Sequence, residues 1–353
     1  MVMHHLYIVF GRKSKKAVED ARSIVASILN VKQKEIYFTS CGSESDNLAL
    51  KGVAYANQEK GKHIITSKIE HPAVLETCTE LEKQGFIITY LNVDKDGLIN
   101  LDELENAIRD DTILISIMFA NNEIGTIQPI EKIGQIAKFH SILFHTDAVQ
   151  AVGNISIDVK KYNIDLLSLS AHKFYGPKGV GALYVREGIN FQKIQNGGHQ
   201  EKDKRAGTEN VAGIVGLGKA IQIANKNLEE YNKKLSILRD YFISRIEENI
   251  SDMKVNGHRI QRLPGNANIS FKGIIGEDLL LKLDEQGICA SAGSACSSGL
   301  SKPSHVLLAI GLEQEYAQGS IRISLGKENT KDDIDFLINQ LEKNIPKLRN
   351  EGF

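Results

Sequence analysis

From Ser14 to about Val185 the chain alternates two kinds of segment. Short runs rich in β-branched and aromatic residues ("EIYFTS", "KHIITS", "FIITYL", "TILISIM", "SILFHTD", "DLLSLS" and "GALYV") are separated by stretches of helical periodicity such as "SESDNLALKGVAYANQ" and "IEKIGQIAKFH". Apolar strands joined by helices cannot form a simple meander. They predict an α/β unit with a mainly parallel sheet of seven strands, covered by helices, with ligands outside the strand carboxyl ends.

Beyond this region Leu217, Ile221, Leu228, Tyr231, Leu235, Leu238, Phe242 and Ile246 recur at spacings of three, four or seven. That places one apolar stripe on a long helical segment with a break or bend. "ANISFKG", "GICAS" and "SIRISLG" then read as strands between helices, so the remainder is a small α+β domain. The division expected is a large domain over residues 1–231 and a small C-terminal domain over 232–353. A chain of 353 residues is long enough for both.

A formal net charge of −1 gives no reason to expect nucleic acid or an anionic membrane as partner. Cys41, Cys78, Cys289 and Cys296 lack metal-ligand spacing and are too few for a disulfide scaffold, so they read as reduced thiols and no metal is expected. The opening "MVMHHLYIVF" lacks a basic leader region, and no later run is long enough to span a bilayer. These features point to the cytoplasm.

Three strand ends in the first domain turn from apolar to small, polar or titratable residues. In "IYFTSCGSESDN", Gly42 and Ser43 open a helix, where backbone N–H groups cap the turn or receive an anion such as phosphate. In "ILFHTDAVQAVG", Asp147 follows a buried strand and needs a cationic partner, structural or ligand, and Gln150 is near enough in sequence to share it. In "LLSLSAHKFYGPKG", Lys173 follows Ser170 and His172; it either snorkels to solvent or serves as an amine nucleophile. Together the three ends suit pyridoxal 5'-phosphate. Its phosphate needs N–H and hydroxyl donors, its aldehyde a lysine, and its pyridine nitrogen an acid that keeps it protonated.

A fourth feature is "ICASAGSACSSGLSKPSH", Ile288 to His305, which sets Cys296 among Ser, Ala and Gly with almost nothing to pack. A structural cysteine favours apolar neighbours.

The ordered segments "TSCGSESDNLA", "SKIEHPAV", "NNEIGT", "HTDAVQ", "SAHKFYGPKG", "RAGTEN" and "GSACSS" resemble the cysteine desulfurases of the NifS/IscS type. These belong to the class-V aminotransferase family of fold-type I (aspartate-aminotransferase-like) pyridoxal phosphate enzymes, and the resemblance covers nearly all of the chain. It implies that Lys173 bonds the cofactor aldehyde and later moves protons. Asp147 pairs with the pyridine nitrogen, Gln150 contacts the ring oxygen and His71 stacks on the ring. Gly42, Ser43, Ser170 and His172 hold the phosphate, with Thr208 reaching in from a second subunit of a homodimer. Asn122 and Arg322 bind the substrate carboxylate, Asn122 also contacts the cofactor, and His71 also serves catalysis as a proton donor or acceptor for substrate and ring oxygen.

The implied reaction converts L-cysteine to L-alanine and leaves a persulfide on Cys296, for delivery to an iron–sulfur scaffold or a tRNA thiolation enzyme. The loop of small residues then reads as a carrier with few contacts to break, with Gly293 and Gly299 as loosening points before Pro303. Cys41, Cys78 and Cys289 read as packing residues. The match starts near Phe10, whereas the family carries an earlier arm with a "D-Y-x-A-T-T-P"-like segment. The resemblance therefore implies a chain without that arm. Two alternative functions follow: a selenocysteine lyase, or a dimeric binding protein impaired by the truncation.

Overall fold

The computed structural model describes residues 9–292 and 303–351. Within them the chain divides into two compact units. The first comprises Met1–Leu91, Asn100–Ala120 and Gln128–Leu228; the second comprises Asn92–Ile99, Asn121–Ile127 and Glu229–Phe353. Two short excursions from the first half of the chain therefore belong with the C-terminal part.

The first unit contains β1 (Ile36–Thr39), β2 (His63–Ser67), β3 (Ile87–Leu91), β4 (Thr112–Ser116), β5 (Leu143–Asp147), β6 (Leu166–Ser170) and β7 (Gly181–Val185). All seven apolar runs of the sequence form these strands. They make one sheet in the order β1-β7-β6-β5-β4-β2-β3. Pairing is parallel from β3 through β6, and β7 runs antiparallel to both β6 and β1. Strands β2, β4, β6 and β7 are buried along their whole length. Helices cover such a sheet on both faces, and this is why the runs read as continuous Ile, Leu and Val instead of alternating. The helix Gly42–Asn57 supplies Leu48, Leu50 and Val53 to a core shared with Ile64, Leu114, Leu166 and Leu183. Because β4, β5 and β6 are parallel, Ser116, Asp147 and Ser170 end on one edge of the sheet.

The second unit holds β8 (Met253–Asn256), β9 (Asn266–Phe271) and β10 (Ser320–Ser324), paired antiparallel in the order β10-β9-β8. Its core joins Phe242 and Ile246 of the helix Leu228–Asn249 to Ile269, Phe271 and Ile321 of the sheet. Leu283 comes from the helix Gly276–Asp284, and Leu341 and Ile345 from Lys331–Glu351. The apolar stripe is divided between Val211–Lys226 and Leu228–Asn249, with the break at Asn227. One expected strand is absent: "GICAS" makes only an isolated bridge, from Ser291 to Arg322. Its first residue, Gly287, turns the chain at φ +76°, and Ile288 and Ala290 pack against the core without a strand partner of their own. The short strand Met253–Asn256 was not anticipated, because its four residues show no apolar run. Among the described residues no helix is long and apolar enough to cross a membrane.

Phe271 is fully buried in the centre of the small core. Phe271→Ala is expected to destabilise the second unit by about 3–5 kcal/mol, measured as a lower denaturation midpoint by a probe in that unit.

Candidate active site

The first unit builds its polar edge where β1, β5 and β6 end. After β1 the chain turns at Ser40 and Cys41 and starts the helix Gly42–Asn57. The first-turn N–H groups have no helical acceptor and carry the positive end of the helix dipole. Glu44 steadies this turn: its Oε2 accepts the Ser40 N–H at 2.7 Å, while Arg205 donates to both its oxygens at 2.6 and 3.0 Å. Gly42 must lack a side chain, because a Cβ there would lie 2.6 Å from Val149 Cγ2 and 3.6 Å from Ser170 Cβ. The helix start therefore sits directly against the ends of β5 and β6. Gly181 of β7 is constrained in the same way, since its Cβ would meet the Cys41 carbonyl carbon at 2.8 Å.

Ser170 is buried at the end of β6, with its Oγ 2.9 Å from His172 Nδ1. His172 and Lys173 are exposed on a single tight turn, Ala171–Phe174, which closes at Tyr175 in the left-handed region. Asp147 ends β5 at 6% exposure, and its Oδ1 accepts the Val149 N–H at 2.9 Å. Burial pushes its carboxyl up to about 6, while the Val149 N–H and the Lys173 charge pull it back. Gly42, Ser43, Asp147, Ser170, His172 and Lys173 thus share one edge of one unit. Gln150 is half-buried just beyond Asp147. His71 is the N-cap of the helix Pro72–Lys83, its Nδ1 accepting the Ala73 N–H at 3.1 Å. His71 thus caps the helix, and the Nδ1 bond fixes the ring.

Behind this edge lies a buried polar layer that sequence reasoning missed. His145 is two residues before Asp147 on the same strand face. Its ring bridges Ser116 Oγ at 2.8 Å and Ser168 Oγ at 3.0 Å, and burial holds it down at about 3, so it is neutral. Asp46, on the helix Gly42–Asn57, places Oδ1 3.7 Å from His145 Nε2. The contact has ion-pair geometry, but Asp46 is itself raised well above the carboxylate range, first by burial and then by Asp147. Two neutral groups meet there. Glu70 is fully buried, accepting from Ser67 Oγ at 2.5 Å and Met118 N–H at 3.0 Å, and burial lifts it to about 8. The available signal was Asp46 at a core-facing phase of its helix, with Leu50 and Val53 at the following core positions. Taken alone, that phase does not identify a partner.

Thr208 is exposed and lines a recess with Thr39, Ser40, Arg205 and Asn210. The segment before it is anchored from inside: Arg22 donates to both oxygens of Glu201 at 2.8 Å, and Glu201 also accepts the Phe38 N–H at 2.9 Å. Glu201, Lys202 and Asp203 all have positive φ, a strained run that this buried pair holds in place.

The remaining candidates belong to the second unit. A guanidinium nitrogen of Arg322 donates to the Asn122 carbonyl at 3.0 Å, so these two residues are brought together. The Arg322 N–H also donates to the Ser291 carbonyl at 2.6 Å. Cys296, Gly293 and Gly299 lie outside the described residues. Of the other cysteines, Cys78 is buried with its thiol pushed up to about 12, as a packing residue should be, whereas Cys289 is exposed and packs little. Cys41 is half-buried, and nothing in the structure explains it.

Glu70 gives a pH signature. Its folded-state value of about 8 lies above the ordinary 4.5, so the native chain binds more protons than the unfolded chain between these limits. Its contribution is complete below pH 4.5 and is lost as pH rises towards 8. Glu70→Gln should flatten that fall by up to about 1.4 kcal/mol per pH unit, read by denaturation of wild type and variant at pH 5 and pH 8.

The class-V aminotransferase model matches residues 3–337. A protein named cysteine desulfurase IscS from Clostridium botulinum is 58% identical over 342 residues, covering 96% of this chain and 86% of the relative. One of the same name from Methanosarcina thermophila is 58% identical over 340 residues, covering 96% and 84%. Among solved structures, a NifS-like protein superposes with a TM-score of 0.91 at 40% identity, covering 97% of this chain and 91% of that one. A structure described as SspA in complex with cysteine gives 0.81 at 40% identity, covering 92% and 91%. With its family model matched almost from end to end and its mainly parallel seven-stranded sheet in place, the chain belongs to the class-V aminotransferases of fold-type I, among the cysteine desulfurases of the IscS and NifS-like type.

Proposed function

We propose that this chain is a pyridoxal phosphate-dependent cysteine desulfurase that converts L-cysteine to L-alanine and takes the sulfur on Cys296. The observation that carries the reading is the single edge on which Asp147, Lys173, Ser170, His172 and the Gly42 helix start converge. That donor set suits the cofactor. A glycine-opened helix N-terminus with a buried hydroxyl and an imidazole suits a phosphate. A buried acid suits the ring nitrogen, and a lysine on the adjacent turn suits the aldehyde. When bound, the cofactor supplies an electron sink for the α-carbon of the amino acid.

The residues carry the remaining steps. Lys173 Nζ holds the cofactor and, once released as an amine, takes the α-proton of the substrate. Asp147 keeps its negative charge towards the ring nitrogen while Asp46 behind it retains a proton. His71 and Gln150 would hold the cofactor ring, His71 at its face and Gln150 as a donor to its oxygen. Arg322 grips the substrate carboxylate through parallel hydrogen bonds, with Asn122 beside it, and so fixes which α-bond faces the cofactor. The Cys296 thiolate attacks the substrate sulfur: an S–S bond forms as the substrate C–S bond breaks, and the carbon skeleton leaves as alanine.

Thr208 is exposed and so available to a second copy, consistent with a homodimer in which it completes the neighbour's phosphate site. The persulfide is passed to an iron–sulfur scaffold or a tRNA thiolation enzyme in the cytoplasm. The functional division proposed gives the cofactor to the first unit and the substrate arginine, Asn122 and the cysteine to the second, which departs from a cut at residue 231 by taking in residues 121–127.

Reconstitution with pyridoxal phosphate should give a visible absorbance band that Lys173→Ala lacks. Cys296→Ser should keep the band while alanine and sulfide production from L-cysteine falls on the order of 10³-fold. Full turnover in the Cys296 variant would refute the desulfurase reading.

A further inference from the structure

The "NNEIGT" segment contains a charge that the reaction above leaves idle. Glu123 is 5% exposed, and among the described residues its hydrogen bonds run to partners in the second unit. Asn121 Oδ1 accepts the N–H groups of Glu123 and Ile124 at 2.8 and 3.0 Å. The Glu123 carbonyl accepts from Asn266 at 3.1 Å and from Asn268 at 3.3 Å. Asn268 is the cross-strand partner of Arg322, and Arg322 reaches the carbonyl of Asn122, the residue before Glu123. The Glu123 backbone is therefore pinned to β9, and the residue before it to Arg322 on the paired strand β10. Its side chain accepts from Ser304 Oγ at 2.5 Å, a hydroxyl 4% exposed that also caps the helix His305–Ala309.

The electrostatic surroundings are simple. Ser304, Asn266 and Asn268 are neutral, and the neighbouring His305 is exposed. Among the described residues, Arg322 is the charged group that acts on Glu123. Burial pushes its carboxyl up to about 7 even with the Ser304 bond and the Arg322 charge drawing it down. Near neutral pH its ionisation depends on how much positive charge Arg322 presents.

We propose that Glu123 balances the charge of Arg322 in the empty enzyme and takes up a proton when a substrate carboxylate occupies Arg322, making it a positioning residue for substrate recognition. The inference rests on the reading of Arg322 as the carboxylate grip. A carboxylate arriving at Arg322 removes the counter-charge that a buried Glu123 anion needs, and a second anion close by raises the cost further. The proton comes from solvent and adds to a Glu123 oxygen, with no covalent step. The Ser304 hydroxyl stays within hydrogen-bonding distance of either form. By linkage, one proton gained on binding makes affinity fall as pH rises, by at most about tenfold per pH unit.

The test uses the holoenzyme and 3-mercaptopropionate, which has the carboxylate and thiol of cysteine but no amine to react with the cofactor. Calorimetric titration at pH 7 in two buffers of different ionisation enthalpy reads proton uptake directly. Wild type should take up a substantial fraction of a proton and lose affinity several-fold from pH 6.5 to pH 8. Glu123→Gln should show no uptake and a flat profile, whereas Glu123→Asp should restore uptake. Absence of uptake in wild type, or undiminished uptake in Glu123→Gln, overturns the proposal; the wild-type arm decides even if the glutamine variant does not fold. Arg322→Ala separates the two readings. Unchanged affinity in that variant removes the carboxylate grip itself, whereas weakened affinity with undiminished uptake in Glu123→Gln removes only the role of Glu123.

Discussion

Asp147 is a carboxylate held at the buried end of a parallel strand, a place where ionised oxygen is costly unless cationic or N–H groups compensate it. One oxygen takes the Val149 N–H, and the Lys173 charge supplies the rest of the relief the chain itself provides. Much of the surrounding architecture bears on keeping that charge where it is. The absence of a side chain at Gly42 lets a helix N-terminus close on the same corner, and Gly181 lets β7 lie against the Cys41 carbonyl. His145 and Asp46, directly behind, are both neutral, so no competing charge accumulates inside the sheet. A protonated acid next to an ionised one is the arrangement that lets two carboxyls share a dry site.

The second unit meets the opposite problem with the same means. Arg322 is a cation on a short antiparallel sheet, and its neighbours are mostly carbonyls and amides. Asn122 offers it a carbonyl, and Glu123, buried and tied to Ser304, offers a charge that can be withdrawn. In both units an acid shifted by burial sits next to the group proposed to touch a ligand, Asp46 beside Asp147 and Glu123 beside Arg322. Burial sets these values, so they depend on packing more than on any one hydrogen bond.

The sheet was legible in the sequence because strands buried on both faces must be apolar along their length, and seven such runs separated by helical stretches admit few other folds. The short strand Met253–Asn256 was not, since four mixed residues carry no period. "GICAS" pairs only at Ser291, although Ile288 and Ala290 pack against the small core. Of the site, Lys173, Asp147 and Gly42 were readable at strand ends, where a polar residue after an apolar run needs an explanation. Asp46, Glu70, His145 and Glu123 were not singled out. An acid or imidazole in sequence looks the same whether it is solvated or sealed inside.

By itself the sequence determined the seven strands of the larger sheet, that this sheet is mainly parallel, and which lysine and aspartate stand at strand ends. Those properties follow from local periodicity and from the cost of burying polar groups. Tertiary structure decided that β7 runs against its neighbours, that residues 92–99 and 121–127 belong with the C-terminal unit, and that burial shifts Asp46, Glu70, Glu123 and His145 towards their neutral forms. Strand direction and ionisation depend on which distant residues close around a group and exclude water from it, and no stretch of sequence carries that information alone.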